Sequence, residues 1–206
     1  MAAHRVFCIG RNYAEHVREL ARAMPAEPTV FMKPVSSLVP AGETVHVPPY
    51  GKQLQHEAEA VAWIGREGRN ITEAQAGPYI AGITLGLDLT LRDVQNELKS
   101  QGLPWELSKA FEQSAPIGSF LPYDGSVDLE DFAFVCSVNG AVRQRGNTKD
   151  MLFPIKTLVS FLSRRWTLKP GDLIFTGTPS GVGPLVPGDR AVVESDLTGA
   201  FSWEIA

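Results

Sequence analysis

Four consecutive residues, His56-Glu57-Ala58-Glu59, precede the apolar run Ala60-Val61-Ala62-Trp63-Ile64. Residues two apart on a strand share a face. Read as a strand from about Leu54 to Ile64, the segment points Glu57 and Glu59 the same way, beside Val61 and Trp63. The other face carries His56, Ala58, Ala60, Ala62 and Ile64. Two carboxylates then enter a partly buried space together, where like charges repel and desolvation is costly. A divalent cation is the simplest neutraliser. The competing reading is a polar strand end that stays in water.

Further groups extend that chemistry. Asp88, in Leu87-Asp88-Leu89-Thr90, is either a turn residue or a third oxygen ligand. A Glu57, Glu59 and Asp88 set is all oxygen, which suits magnesium, manganese or calcium and not zinc or copper. It over-neutralises a dication by one charge and leaves coordination positions open. His16 and Glu19, three apart on a helix, are neighbours on one face. They form either a surface pair or a general base oriented by a carboxylate. His4, His46 and His56 compete for the base role without an evident partner. Lys33 and Lys109 sit in contexts where a lysine commonly snorkels. Arg92 and Gln95 lie one turn apart. The stretch Leu173–Gly183 is a strand entering a Gly/Thr/Ser loop that offers N–H groups and hydroxyls to an anion. It lacks the ending of a P-loop and the glycine spacing of a dinucleotide site.

Several elements must position these groups. Arg5–Ile9 reads as a strand and Asn12 to about Met24 as a helix, with Tyr13, Val17, Leu20 and Met24 as its stripe. Asn12 and Glu15 have the spacing of a capping box. Thr29–Met32 and Thr44–Val47 read as short strands. Thr72–Gly77 reads as a short helix capped by Thr72. Ile80–Leu89 reads as a strand buried on both sides, followed by a helix from a Thr90 cap to Lys99 that Gly102 stops. Phe132–Val138 and Ala141–Arg145 form a hairpin about Asn139-Gly140. Pro154–Ser163 reads as a helix. Pro-Gly-Asp turns introduce strands Leu173–Phe175 and Arg190–Glu194. Short strands, few helices and frequent turns predict an α+β fold with a mixed β-roll or barrel-like sheet, as one domain over residues 1–206.

Composition narrows the partners. The chain has 206 residues, a net charge of −4 and two cysteines. No basic run points to nucleic acid, and no segment is long and apolar enough to span a membrane. Cys8 and Cys136 have apolar neighbours and read as buried thiols rather than a disulfide or zinc site. No secretory or transit pattern opens the chain, so a reducing, cytoplasmic setting is expected, or the mitochondrial matrix in a eukaryote.

In order along the chain, these pieces resemble the fumarylacetoacetate hydrolase family, in its small acylpyruvate hydrolase/oxaloacetate decarboxylase branch. The stretches that carry the resemblance are Cys8–His16, Phe31–Pro34, His56–Glu59, Leu87–Gln95, Gly102–Trp105, Lys109–Phe111 and Phe175–Pro179. It implies a homodimer of mixed β-roll subunits with a magnesium or manganese ion held by Glu57, Glu59 and Asp88. His16 and Glu19 match the catalytic dyad and Lys109 the active-site lysine. Arg11, Lys33, Arg92, Gln95 and Thr178 match the substrate-binding positions. Gln55 stands where many relatives have a second histidine.

The implied substrate is a 2-oxo or β-diketo acid with a pyruvoyl end. In the first reading, His16 activates a water that attacks the distal carbonyl of an acylpyruvate, such as acetylpyruvate or fumarylpyruvate. C–C cleavage then leaves a carboxylic acid and pyruvate enolate. Oxaloacetate decarboxylation or enol–keto tautomerisation needs the same enolate, as does an isomerase or decarboxylase of aromatic catabolism. A non-catalytic 2-oxoacid or metal-binding module would need the carboxylates but not His16 and Glu19.

Overall fold

The computed structural model describes residues 3–19 and 23–206. Along the chain the elements are β1 (Val6–Gly10), α1 (Ala14–Glu19), β2 (Thr29–Lys33), β3 (Leu38–Pro40), β4 (Thr44–Val45), β5 (Leu54–His56) and β6 (Ala58–Ile64). Then come β7 (Ile80–Leu87), β8 (Thr90–Leu91), α2 (Arg92–Ser100), α3 (Glu106–Lys109), β9 (Ala115–Ile117) and β10 (Leu121–Pro122). The last are β11 (Ala133–Val138), β12 (Ala141–Asn147), α4 (Ile155–Arg165), β13 (Leu173–Phe175), β14 (Gly183–Pro184), β15 (Arg190–Ser195) and β16 (Gly199–Ile205).

An eight-stranded sheet runs β2-β1-β13-β6-β7-β9-β3, with β10 also on β7. It is mixed: β1 is parallel to β13 and β3 to β9, while β6 is antiparallel to both neighbours. A five-stranded sheet runs β12-β11-β15-β16-β4, and a three-stranded one β14-β5-β8. This is the α+β, mixed β-roll class expected from the sequence. The larger apolar core draws on both large sheets and α4, through Phe7, Leu85, Leu87, Leu158, Leu162 and Trp203. A smaller cluster of Val6, Cys8, Val61, Leu173 and Phe175 is flanked by half-buried Phe31, Trp63 and Phe120. Strand alternation puts Glu59 on the Val61 side of β6, with this smaller cluster. Both cysteines are buried free thiols.

The structure departs from the sequence reading at the site itself. The expected strand Leu54–Ile64 is broken at Glu57. Its first part, β5, pairs with β8 and β14, and its second part, β6, joins the large sheet between β13 and β7. The α1 helix covers Ala14–Glu19 and Met24 is not helical, while Leu20 lies outside the described residues. The Asn12 side chain is spent elsewhere than on a cap. Its Nδ2 donates to Thr176 O (2.7 Å) and Phe153 O (3.0 Å), and its Oδ1 accepts from Phe153 N (2.8 Å). Thr90 does not cap α2 either; it belongs to β8, its hydroxyl donates to Asp88 O, and Leu91 is the N-cap. Strands β3 and β16 had no counterpart in the sequence reading. The Trp203 indole of β16 donates to Pro40 O (3.0 Å) at the end of β3, tying the two together.

Candidate metal centre and active site

Glu57 occupies the break between β5 and β6, Glu59 lies two residues into the large sheet, and Asp88 follows β7. The β6–β7 pairing sets Glu59 opposite Gly86, and Asp88 N–H donates to Glu57 O (2.8 Å). The register thus brings the three carboxylates together: one oxygen from each lies within 4.8 Å of the others. All three residues are at most 6% exposed.

Their surroundings differ. Burial alone would raise the ionisation range of Glu57. The Lys109 ammonium at 2.7 Å and the Arg92 guanidinium in contact outweigh that and hold it well below the usual carboxylate range. Among the described residues, the hydrogen bond to Glu59 comes from the Gly177 N–H (2.8 Å). Burial first, and then the neighbouring Asp88 charge, push its ionisation well up. Asp88 Oδ2 accepts from Lys109 Nζ (2.6 Å). Its Oδ1 faces the Lys33 ammonium at 2.9 Å without a well-formed hydrogen bond. Three clustered buried oxygens, one on an acid whose charge is opposed and one lacking a hydrogen bond, suit a hard divalent cation such as magnesium or manganese.

Beside the carboxylates opens a cavity of about 600 Å³ whose wall includes Arg11, His16, Glu57, Arg92, Gln95 and Lys109. His16 is 4% exposed, and its Nδ1 lies 3.1 Å from Oε2 of the exposed Glu19, so the pair spans from the cavity wall to the surface. The other Glu19 oxygen accepts from Gly181 N (3.3 Å), fastening α1 to the loop after β13. Arg92 Nη1 donates to Gln95 Oε1 (2.5 Å) and its Nε to Gln55 Oε1 (2.7 Å). Arg11 reaches the cavity from a left-handed backbone (φ 62°) at the turn after β1.

Two of the candidate substrate-binding residues are not on the wall. Lys33 lies behind Asp88, with its ammonium on Leu89 O and Lys109 O. The Thr178 hydroxyl donates to Ala58 O (2.9 Å). His4 pairs with Asp172, and neither His46 nor His56 lines the cavity. The sequence reading missed the aromatic side of the cavity. Lys109 Nζ sits 5.1 Å from the Phe31 centroid, Phe31 meets Trp105 edge-on at 5.9 Å, and Lys99 Nζ lies 5.0 Å from the Trp105 centroid. Nothing in the local sequence marked Phe31 as a wall residue, because Thr29–Met32 are all half buried and no alternation singles it out.

Residues 5–205 match the sequence model of the Fumarylacetoacetate (FAA) hydrolase C-terminal family. The chain belongs to this family. Bovine mitochondrial oxaloacetate tautomerase FAHD1 is 43% identical over 96% of the chain and 88% of its own length. A mitochondrial oxaloacetate decarboxylase of Dictyostelium discoideum is 42% identical over 95% and 89%. A crystal structure of fumarylpyruvate hydrolase from Pseudomonas aeruginosa, in complex with Mn2+ and pyruvate, superposes with a TM-score of 0.95. It is 39% identical and covers 99% of this chain and 90% of the other. These fumarylacetoacetate hydrolase family relatives are named as enzymes, and the fold, the carboxylate cluster and the cavity of this chain fit that company.

Proposed function

We propose that the chain is a divalent-metal-dependent enzyme that forms and protonates the enolate of a pyruvoyl acid. Its first reaction is the enol–keto tautomerisation of oxaloacetate, supported by the identity to the bovine tautomerase over nearly its whole length. The observation that carries the metal part is the cluster of Glu57, Glu59 and Asp88, with Glu59 left short of positive charge. When bound, the cation supplies Lewis-acid stabilisation of negative charge on the oxygens of a 2-oxo acid.

The chain's own residues do the rest. Three buried cations (Lys33, Lys109 and Arg92) pair with Glu57 and Asp88, two of the three clustered carboxylates. A dication therefore leaves the site with surplus positive charge, which favours an anionic substrate. Arg92 and Gln95, already paired on the wall, present N–H groups to a carboxylate. In ketonisation the enol oxygen gives up its proton while His16, oriented by Glu19, delivers one to the adjacent carbon. In the reverse direction His16 takes that carbon-bound proton as the oxygen gains one. Phe31 and Trp105 keep water from that side of the enolate.

Acylpyruvate hydrolysis is the second reading, favoured by the same dyad. A base held by a carboxylate can activate a water as readily as it can move a carbon-bound proton. Attack on the distal carbonyl then breaks the C–C bond, with its electron pair passing to the pyruvate enolate. The resemblance also implies a homodimer, and the half-buried apolar groove about Trp63 and Phe120 supports it.

A spectrophotometric comparison of oxaloacetate, acetylpyruvate and fumarylpyruvate, with Mg2+ or Mn2+ and then with chelator, tests the function. The expected result is metal-dependent decay of oxaloacetate enol. Turnover of acylpyruvates with no effect on the enol would move hydrolysis to first place. Activity that survives chelation overturns the metal assignment.

A further inference from the structure

Gln144 belongs to none of the motifs above. It lies on β12 between Arg143 and Arg145. In the fold it is 1% exposed. Its Oε1 accepts from His56 Nδ1 (2.9 Å) and Ala58 N (3.0 Å), and its Nε2 donates to Thr178 Oγ1 (2.8 Å) and Pro179 O (2.9 Å). Every hydrogen-bonding position of the amide is used, which fixes its orientation. That orientation places the His56 proton on Nδ1. The Thr178 hydroxyl closes a ring by donating to Ala58 O (2.9 Å).

Ala58 is the residue between the two glutamates, at the point where the chain leaves the three-stranded sheet for the large one. Both of its backbone polar groups are held by this ring. The same ring holds Thr178, the neighbour of Gly177, whose N–H is on Glu59. An independent feature seats the loop on β12. Gly181 has φ +91°, and a Cβ there would meet Arg143 O at 2.2 Å.

We propose that Gln144 is the positioning residue of the metal centre, clamping Ala58 so that Glu57 and Glu59 aim at one ion. It reaches the backbone between the two glutamates from the five-stranded sheet and does not line the cavity. The inference rests on the metal part of the proposed function and is independent of which reaction follows.

The test is Mn2+ affinity by calorimetry on the full chain, with circular dichroism as the folding control. Gln144→Met keeps the length and removes all four bonds. It should bind Mn2+ about 10- to 100-fold more weakly, the usual effect of removing a partner behind a ligand. Thr178→Val breaks the ring at its other side and should weaken binding in the same direction. The double variant should be little worse than either single one, because the ring acts as a unit. Ser163→Ala is the control for a general packing defect: this buried hydroxyl on α4 bonds Ile71 N (2.9 Å) and Ser160 O (2.9 Å). It should lower the melting temperature and leave Mn2+ affinity unchanged. Wild-type affinity in Gln144→Met, or in Thr178→Val if the first does not fold, overturns the clamp. So does an equal loss in Ser163→Ala. Failure of the unsubstituted chain to bind Mn2+ overturns instead the metal reading on which the clamp rests.

Discussion

Glu57 and Glu59 are two residues apart and electrically unlike. Glu57 is paired with Lys109 and Arg92, whereas Glu59 is buried against Asp88 with one backbone N–H. The ion's charge is therefore needed most at Glu59. Glu59→Gln keeps the shape and an acceptor for Gly177 N–H and removes the charge. Calorimetry should then detect no Mn2+ binding. The metal-free variant should melt no lower than the metal-free parent, since a poorly compensated buried carboxylate has been replaced by a neutral amide. His16 is a different case, because it lines the cavity and its hydrogen bond goes to Glu19 rather than to Glu57, Glu59 or Asp88. His16→Ala should lower kcat/KM by about 100-fold or more, the usual range for a lost general base. Its Mn2+ affinity should stay within a factor of about two of the parent. Loss of both together would assign His16 to the metal centre rather than to proton transfer.

The site is made where elements change partners, and that explains what was legible in the sequence. Alternation along Glu57, Glu59, Val61 and Trp63 is a local property and could be read directly. So could the buried strand β7 and the Asn139-Gly140 hairpin. The break at Glu57 could not, because it depends on β5 finding β8 and β14 while β6 finds β13 and β7, all distant in sequence. Asn12 shows the same limit. It had the spacing of a cap, yet its side chain is bound to Phe153 and Thr176. Among the candidates, His16, Arg92, Gln95 and Lys109 reach the cavity wall, whereas Lys33 and Thr178 sit behind the carboxylates. Sequence order cannot tell the front of a site from its back. The Asn12 turn and the loop after β13 meet at Gly177, where φ is +102° and a Cβ would lie 2.6 Å from Asn12 Cβ. Gly177→Ala should cost about 1–3 kcal/mol through backbone strain and that collision. The melting temperature should fall by roughly 2–4 °C per kcal/mol for a chain of this size. Mn2+ affinity should fall too, because the Glu59 N–H donor is displaced; an unchanged melting temperature would mean that the two segments move apart freely.

On the scale of the whole molecule, the large sheet buries its two faces unequally. One face supplies the larger core with α4 and the five-stranded sheet. The other ends in a groove of about 590 Å³ among Val35, Leu38, Trp63, Ile117, Phe120 and Leu173. Trp63 and Phe120 pack at 5.4 Å between centroids and remain only half buried. A contiguous exposed apolar patch favours association, and a second copy is the partner implied by the family resemblance. The groove and the carboxylates lie on the same side of β6, along the alternation from Glu59 through Val61 to Trp63, so covering one end also stiffens the strand that carries the ligand. Trp63→Glu puts a charge in the centre of that patch, where burying it against a partner is costly. Light scattering on the eluting protein should show twice the chain mass for the parent and a single chain mass for Trp63→Glu. All three carboxylates come from one chain, so the dissociated variant should still bind Mn2+, with an affinity loss limited to what the looser β6 allows. A parent that elutes at single chain mass over the micromolar range removes the second copy as the occupant of the groove.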